Sequence, residues 1–355
     1  MAVFIRATQS ISPQNTFLAE KLPSALLYYT GRMTSVLPDF KNYYPAILLR
    51  RMNYVIKTGN ACAIETVKAA QLEKPDAIIV GTGLGCVEDT EKFLNSMLER
   101  NEGLLTPTTF IQSIHNTVGG NIALHHKSNG YNLVYAHKTI SFESALMDAF
   151  LLVKENDADV KNVLVGGVDE ITPENFKIKA DAHIFRYDVS NENILHDKAQ
   201  GSVAGEGITF FMLNSSVSKD NFAEIVELDF TYRLANNEAV DAWILNFLER
   251  NNISANDIDV VFVGINGDKE NDAVYEEFLS RNFATASHAM YKNMCGEYDT
   301  ATSFAMWFSA HCIKEGIVPE YAFLKNAHRK PRKILIYNQD NNSNHSIILL
   351  SECSN

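Results

Sequence analysis

A turn of three residues, His137-Lys138-Thr139, stands where a strand is expected to meet a helix. Leu133 to Ala136 reads as a strand, and apolar residues then recur at helical spacing from Phe142 to Val153. Free backbone N–H groups and the positive dipole end at a helix N-terminus lower the pKa of a thiol and stabilise an oxyanion. An enzyme of acyl transfer places a nucleophilic Cys or Ser in such a turn. This chain has the setting for that chemistry but offers Thr139 in place of the nucleophile.

Two other patterns could indicate a ligand, a dinucleotide in one case and a metal ion in the other, but both are incomplete. The turn Gly81-Thr82-Gly83-Leu84-Gly85 lacks the third glycine of a dinucleotide fingerprint, because Cys86 and Val87 follow it. No acidic residue ends a second strand about 20 residues further on, as that fingerprint requires. The five cysteines include no CxxC pair, and His115, His125 and His126 have no partners at metal-ligand spacing. We therefore expect neither a cofactor nor a metal.

Composition restricts the classes of partner. The chain has 355 residues, a formal net charge of −12 and 46% hydrophobic residues, which indicates a large folded core. The negative charge disfavours nucleic acid and anionic lipid. No apolar run reaches the roughly 20 residues of a membrane helix, and no signal peptide is visible, so a cytoplasmic protein is expected. Two basic segments, 46–58 and 325–333, are interpreted as solvated surface or, alternatively, as local partner contacts.

Strands and helices alternate in both halves of the chain, which predicts an α/β protein with helices around parallel sheets. Segment 46–58 is predicted to form one amphipathic surface helix, and 236–249 a second with one clear apolar face. A third helix, 300–315, is predicted to begin after Asp299 as N-cap and to end at Gly316.

The order of these segments resembles the β-ketoacyl-acyl carrier protein synthases of the thiolase fold. The resemblance covers nearly the whole chain and rests on six segments in the family's order: ILLRRM, GTGLG, FIQSIHNTVGGNIAL, DADV…VGGVDE, VAGEG and KNMCG. It implies a thiolase-like α/β fold of two similar βαβ-type halves, 1–215 and 216–355, packed as α/β/α/β/α layers.

The resemblance also implies which positions matter. In the family, the strand-to-helix turn carries the Cys that holds the acyl chain, and two histidines assist decarboxylation of the malonyl extender. These three positions fall on Thr139, Asn266 and Glu297, whereas Lys292 keeps a family active-site residue. The loop of the family's oxyanion hole falls on Asn341-Asn342-Ser343-Asn344. A Thr hydroxyl has a far higher pKa than a thiol, and Glu297 places negative charge where an enolate must form.

We therefore expect a non-catalytic ketosynthase-like subunit, similar to the chain-length factors of type II polyketide, aryl-polyene and flexirubin systems. Such a subunit pairs with a catalytic β-ketoacyl synthase, shapes the shared acyl tunnel, and meets the acyl carrier protein through the complex. In the family, one strand pairs across the dimer axis. Its residues here are Asn132, Leu133, Val134, Tyr135 and Ala136.

Two other hypotheses remain open. The first is an acyltransferase of the same family that uses Thr139, Ser141 or Cys295 as an unusual nucleophile. The second is a homodimeric scaffold with no acyl ligand. A covalent acyl adduct on the chain would identify the enzyme, and a stable one-to-one complex with a catalytic synthase would distinguish the chain-length role from the scaffold.

Overall fold

A computed structural model describes residues 1–155 and 160–353, in which a large mixed sheet is flanked by helices. Residues 157–159, which begin the DADV segment, lie outside the described residues. The strands are β1 (Val3–Ile11), β2 (Ala77–Gly81), β3 (Tyr131–Tyr135), β4 (Val163–Asp169), β5 (Gly207–Asn214), β6 (Ala223–Tyr232), β7 (Val260–Val263), β8 (Ser287–Met290), β9 (Phe323–Lys325), β10 (Lys333–Asp340) and β11 (Asn344–Ser351). The helices are α1 (Ala46–Leu49), α2 (Tyr54–Ala69), α3 (Val87–Glu99), α4 (Pro107–Ser113), α5 (Thr117–His126), α6 (Ser141–Glu155), α7 (Pro173–Asp181), α8 (Asn237–Arg250), α9 (Lys269–Asn282), α10 (Lys292–Cys295) and α11 (Ala301–Glu315).

The two halves of the chain repeat one strand order. The sheet runs β3-β2-β4-β5-β1 through the first half and continues as β6-β11-β10-β7-β8-β9 through the second. Counted from the first strand of each half, and with the extra edge strand β9 left out, the shared order is 1-5-4-2-3. The halves join where β1 and β6 pair antiparallel, with Val3 opposite Ile225 and Ile5 opposite Ala223. The predicted boundary between the two halves, after residue 215, lies in the connection between β5 and β6. Because the β1–β6 pairing joins both halves in one sheet, the division into two halves at this residue stays a prediction.

The prediction of parallel sheets is only partly correct. β2 runs parallel to β3 and β4, and β7 runs parallel to β8 and β10. The strands near the junction are antiparallel, including the pairs β1–β5, β4–β5 and β10–β11. A short turn, 341–343, joins β10 to β11, and so short a connection can only reverse the chain.

The helices form three layers, one between the two halves of the sheet and one on the outer face of each half. α6 and α11 form the central layer, and their apolar side chains, among them Phe150, Trp307 and Phe308, pack in one cluster against strands of both halves. α2 and α5 cover the outer face of the first half, and α8 and α9 cover that of the second. α11 is buried on all sides from Ala301 to Ile313, as expected of a helix enclosed between sheets. The expected α/β/α/β/α layering is confirmed.

Two local predictions about helices are wrong. Segment 46–58 is not one helix, because α1 ends at Leu49 and Asn53 begins α2 by accepting a hydrogen bond from the Ile56 N–H at 2.8 Å. The chain therefore bends between two helices, and Arg50 and Arg51 lie in the bend. α11 begins at Ala301 with Thr300, not Asp299, at the N-cap position. Its predicted end is confirmed: Gly316 terminates it with φ of +70°.

Candidate functional site

The predicted nucleophile position, Thr139, lies in a tight turn between β3 and α6. Ser141 holds this turn, because its Oγ donates to the Lys138 carbonyl at 2.6 Å and accepts from the His137 N–H at 2.7 Å. The Thr139 Oγ1 donates to Asp340 Oδ2 at 3.3 Å and accepts from Asn344 Nδ2 at 3.2 Å. The turn is thus fastened to the β10–β11 hairpin, the segment that the resemblance equates with the oxyanion loop. None of these partners of the Thr139 hydroxyl is a histidine.

The three other positions taken from the resemblance form one hydrogen-bonded cluster. Lys292 Nζ donates to Glu297 Oε2 at 2.7 Å, and Asn266 Nδ2 donates to the same oxygen at 2.5 Å. The Lys292 side chain is only 1% exposed, whereas that of Glu297 is 20% exposed. A buried ammonium needs a counter-charge, and Glu297 supplies it. The position that the resemblance equates with the family's second histidine thus holds the partner of Lys292.

Backbone contacts fix Glu297 in place. Its N–H donates to the Val203 carbonyl at 2.8 Å, and its carbonyl accepts from the Gly205 N–H at 3.0 Å. The turn VAGEG therefore packs directly on the segment KNMCG. A Cβ on Gly205 would stand 1.9 Å from the Cys295 carbonyl oxygen, so only glycine fits this contact. The position of Glu297 is thus determined by a segment some ninety residues earlier in the chain.

Asn266 is fixed in a similar way, at the end of β7. Its N–H and that of Gly267 both donate to the Asp272 carboxylate, at 2.9 and 3.1 Å. Asp272 belongs to α9, and so the helix anchors the loop that precedes it. The Asn266 amide is consequently held toward Glu297.

A buried carboxyl group that sequence reasoning missed lies one helical turn after Thr139. Glu143 is fully buried, and its Oε1 accepts from Ser346 Oγ at 2.7 Å. Its Oε2 has no hydrogen-bond partner among the described residues. Burial raises the pKa of Glu143 to about 7, against a smaller lowering by Ser346. The sequence offered little indication that Glu143 is buried. A glutamate in the first turn of a helix is usually an exposed residue whose negative charge interacts favourably with the positive end of the helix dipole.

The turn GTGLG holds a carboxylate of its own chain. Asp169, at the end of β4, accepts from Thr82 Oγ1 at 3.1 Å and from the Gly83 N–H at 2.8 Å. It also accepts from the Thr300 N–H at 2.9 Å and the Thr300 Oγ1 at 2.7 Å. These contacts tie β2, β4 and the start of α11 together. They support the interpretation of the glycines as a tight structural turn.

A second carboxyl group, Asp299, lines the same small cavity as Asp169. Burial raises the pKa of Asp299, and the charge of Asp169 raises it further. Glu297 and Asp340 act in the same direction. The neighbouring carboxyl groups thus favour the neutral, protonated form of Asp299, while Lys179 opposes them.

The space beside Glu297 is too small for an acyl group. The cavity there has a volume of about 20 Å³, which is enough for one water molecule. Its lining includes Asp169, Glu170, Lys179, Glu297 and Asp299. Thr139, Asn266 and Lys292 do not line this cavity.

The alternative nucleophiles are not arranged for reaction. Cys295 is fully buried, burial raises its thiol pKa, and its Sγ donates to the Gly296 carbonyl at 3.3 Å. Ser141 is also buried, and its hydroxyl is used to hold the turn. A thiolate is the reactive form of cysteine, and this environment disfavours it.

The basic segment 325–333 is largely occupied by structural contacts. Arg329 donates to the carbonyls of Asn256 and Ile258, and Lys325 Nζ donates to that of Ala284 at 2.6 Å. These bonds fasten the connection between β9 and β10. The contacts favour the structural interpretation of this segment over a docking patch.

The strand predicted to lie at a dimer axis is the outermost strand of the first half. β3 pairs with β2, and its other edge has no partner strand among the described residues. Leu133 is 42% exposed on this strand. An unpaired edge with an exposed apolar side chain is a surface that proteins normally cover.

The described residues hold no group of three or more His, Cys, Asp or Glu side chains arranged to bind a metal. In the same part of the chain, none of the helices has the length and apolar character required to cross a bilayer.

Comparisons with known proteins agree on the fold. Residues 34–209 match the family described as "Beta-ketoacyl synthase, N-terminal domain". A β-ketoacyl synthase from Burkholderia phymatum superimposes with a TM-score of 0.82 at 14% identity, covering 99% of this chain and 100% of that one. The ishigamide ketosynthase/chain length factor gives 0.81 at 15%, covering 99% of both chains. The ketosynthase ApeO in complex with its chain length factor ApeC, from Xenorhabdus doucetiae, gives 0.77 at 13%, covering 99% of this chain and 98% of that one. No curated protein sequence matches significantly.

Proposed function

We propose that this chain, which has the thiolase-like fold of the ketosynthases and carries their N-terminal domain at residues 34–209, is a non-catalytic partner of an active β-ketoacyl synthase. In this role it resembles a chain-length factor and shapes the acyl tunnel of the pair. The observation that carries the proposal is the hydrogen bond from Lys292 to Glu297. A carboxylate already paired with the buried lysine stands where the family requires a neutral histidine that stabilises an enolate.

Two further observations support a non-catalytic role. Thr139 has a hydroxyl in place of a thiol, and this hydroxyl has no histidine partner among the described residues. Its pKa is very high, so it would need a general base to act as a nucleophile. The cavity of about 20 Å³ beside Glu297 has room for no more than a water molecule. The changes at the positions of Thr139 and Glu297 would each slow condensation severely, and together they remove the nucleophile and an acid–base group.

The β3 edge supports assembly with another ketosynthase-fold chain. Its unpaired backbone groups and the exposed Leu133 would be covered by a strand of the partner. Similar chains are solved as ketosynthase and chain-length-factor complexes, and one is solved with an acyl-carrier protein. We infer that the active partner supplies most of the basic contacts to the acidic carrier, since this chain has a net charge of −12. We place this assembly in the cytoplasm, where its five free thiols would stay reduced.

The test has two arms. The purified chain is incubated with acyl and malonyl donors on a carrier protein, and intact-mass spectrometry and carbon dioxide release are measured. We expect neither an adduct nor decarboxylation. In the second arm the chain is co-expressed with a Cys-bearing ketosynthase from the same genome, and we expect a stable one-to-one complex by size-exclusion chromatography with light scattering.

The outcomes distinguish the three hypotheses. An adduct on the isolated chain contradicts the proposal and supports the acyltransferase alternative. If the chain forms only a homodimer and binds none of the co-expressed ketosynthases, the result supports the hypothesis of a homodimeric scaffold. Product analysis with and without this chain then measures its effect on acyl length.

A further inference from the structure

We propose that the outer edge of β3 carries a charge pattern that opposes pairing with a second copy of this chain. The pattern selects instead a different partner strand, one with carboxylates at both ends and a cation beside its centre. The inference rests on the proposed function, because it specifies the chemistry of the chain that would cover this edge. Its basis is the position of Lys127 and Lys138 at the two ends of β3 and of Asp148 beside its middle.

The two ends of β3 are positively charged. Lys127 lies shortly before the strand, at the end of α5, and Lys138 lies shortly after it, in the turn before α6. Both lysines are exposed, and neither forms an ion pair with a described carboxylate. Each has left-handed backbone, with φ of +50° and +49°, so the chain bends at both residues and they mark the limits of the strand.

The middle of β3 faces a carboxylate. Side chains alternate between the two faces of a strand, so Tyr131, Leu133 and Tyr135 share one face. Asp148 on α6 accepts from the Tyr131 hydroxyl at 3.0 Å and from the Tyr135 hydroxyl at 3.1 Å. Because Asp148 bridges the residues on either side of Leu133, it lies beside the centre of the strand. Both of these partners are uncharged, so they leave its negative charge uncompensated.

The free backbone groups of β3 determine how it would pair with its own copy. Two strands related by a two-fold axis pair antiparallel, because a position that meets another must be met by it in turn. The Thr82 N–H donates to the Tyr135 carbonyl at 3.0 Å, so the Tyr135 backbone faces β2. Backbone direction alternates along a strand, so Asn132 and Val134 direct their N–H and C=O groups to the free edge. Asn132 of each copy would thus pair with Val134 of the other, with Leu133 at the axis.

This arrangement would place the charge pattern against itself. Lys127 and Lys138 are six and five positions from Leu133, so Lys127 of each copy would lie beside Lys138 of the other at both ends. The two copies of Asp148 would lie on the same face, on either side of the axis. Like charges opposite one another destabilise a pair of strands. A partner strand with carboxylates at its ends and a cation at its centre would replace each repulsion by an attraction.

The first experiment measures self-association of the full chain by analytical ultracentrifugation at low salt. Lys138→Glu places a carboxylate opposite Lys127 at both ends, and self-association should strengthen about ten-fold. Adding Lys127→Glu restores like charges, so the double variant should return to within about two-fold of the wild type. Added salt screens exposed charges and should reduce the gain of the single variant.

Lys269→Glu is the matched control for this series. Lys269 is exposed on α9 in the other half of the chain, and its replacement changes the net charge by the same amount as Lys138→Glu. It should change self-association less than about two-fold. The double variant guards against misfolding, because a damaged fold would not be repaired by a second substitution, and circular dichroism checks the fold of each variant.

The second experiment measures binding of the same variants to a Cys-bearing ketosynthase from the same genome. Lys138→Glu should weaken the one-to-one complex about five- to ten-fold, whereas Lys269→Glu should change its affinity less than about two-fold. An unchanged complex with Lys138→Glu overturns the selection of an acidic partner strand.

The self-association series overturns the charge pattern if Lys138→Glu and Lys269→Glu behave alike, or if the double variant associates as tightly as Lys138→Glu. A wild type that binds itself as tightly as it binds the ketosynthase also overturns it. Failure of the proposed function is a separate result: the chain then forms an acyl adduct or binds no ketosynthase. In that case a ten-fold gain by Lys138→Glu that the double variant reverses still supports the opposition of β3 to self-pairing.

Discussion

At the scale of single residues, the charges of Lys292 and Glu297 determine which chemistry the candidate site can support. Lys292 is almost fully buried and is paired with Glu297, whose carboxylate also accepts from Asn266. This arrangement satisfies a buried cation and directs the Lys292 and Asn266 donors to a carboxylate of the chain itself. The same residues therefore explain local stability and support the proposed loss of condensation chemistry.

The ion pair predicts an asymmetric response to mutation. Glu297→Gln leaves the Lys292 ammonium buried without its counter-charge and should lower the free energy of unfolding by about 3 kcal/mol. The double variant Lys292→Met with Glu297→Gln should regain most of that loss, because neither member of the pair is then charged. Urea denaturation of the two variants and the wild type measures both effects. A double variant that is less stable than Glu297→Gln would contradict this account.

Glu143 predicts a pH dependence of stability. Burial raises its pKa from 4.5 to about 7, so the folded state binds a proton that the unfolded state has released between these values. The contribution of Glu143 to stability is thus present below about pH 4.5 and is lost as the pH rises through 7, by at most about 3 kcal/mol.

The comparison is with Glu143→Gln, which keeps the shape of the side chain and cannot ionise. The stability of the wild type relative to this variant should fall between pH 5 and pH 8, measured by urea denaturation at each pH. Parallel profiles for the two proteins would show that Glu143 titrates normally.

At the scale of elements, short turns position the site. The turn 203–207 packs on the segment 292–297 so closely that Gly205 has no room for a side chain. The turn at Gly83 is held by Asp169, and the turn at Thr139 is held by the β10–β11 hairpin. Each contact joins segments far apart in the chain, and so the site depends on correct assembly of both halves.

Gly205→Ala should destabilise the protein strongly, because its Cβ would overlap the Cys295 carbonyl oxygen. We expect a fall of several degrees in the melting temperature or loss of soluble protein. Gly120→Ala is the control: Gly120 lies within α5, and a Cβ there would meet no atom within 4 Å. Alanine favours a helix interior over glycine by about 1 kcal/mol, so this variant should melt at an equal or higher temperature. Equal effects of the two substitutions would refute the packing argument.

At the scale of the whole molecule, the repeated strand order leaves one edge of the first half open. β9 lies outside β8 at the far end of the sheet, whereas β3 has no such neighbour among the described residues. This difference between the two ends supports an assembly that covers β3. The proposed partner is another chain of the same fold.

Leu133→Arg should disrupt that assembly without unfolding the chain, because Leu133 is 42% exposed and an arginine in a covered edge would bury a charge. Leu245→Arg is the control, since Leu245 is 41% exposed on α8 in the other half. Light scattering should show dissociation for Leu133→Arg, while Leu245→Arg stays assembled. An assembly that survives Leu133→Arg would exclude β3 from the interface.

The sequence alone determined the alternation of strands and helices, the tight turn at Thr139, and the end of α11 at Gly316, because periodicity and glycine preferences act over a few neighbouring residues. The six segments in the family's order also identified the fold. Only the tertiary structure decided the antiparallel strands at the junction, the burial of Glu143, and the pairing of Lys292 with Glu297. These features arise from contacts between segments far apart in the chain, such as Gly83 with Asp169, and local patterns carry no information about which distant groups will meet.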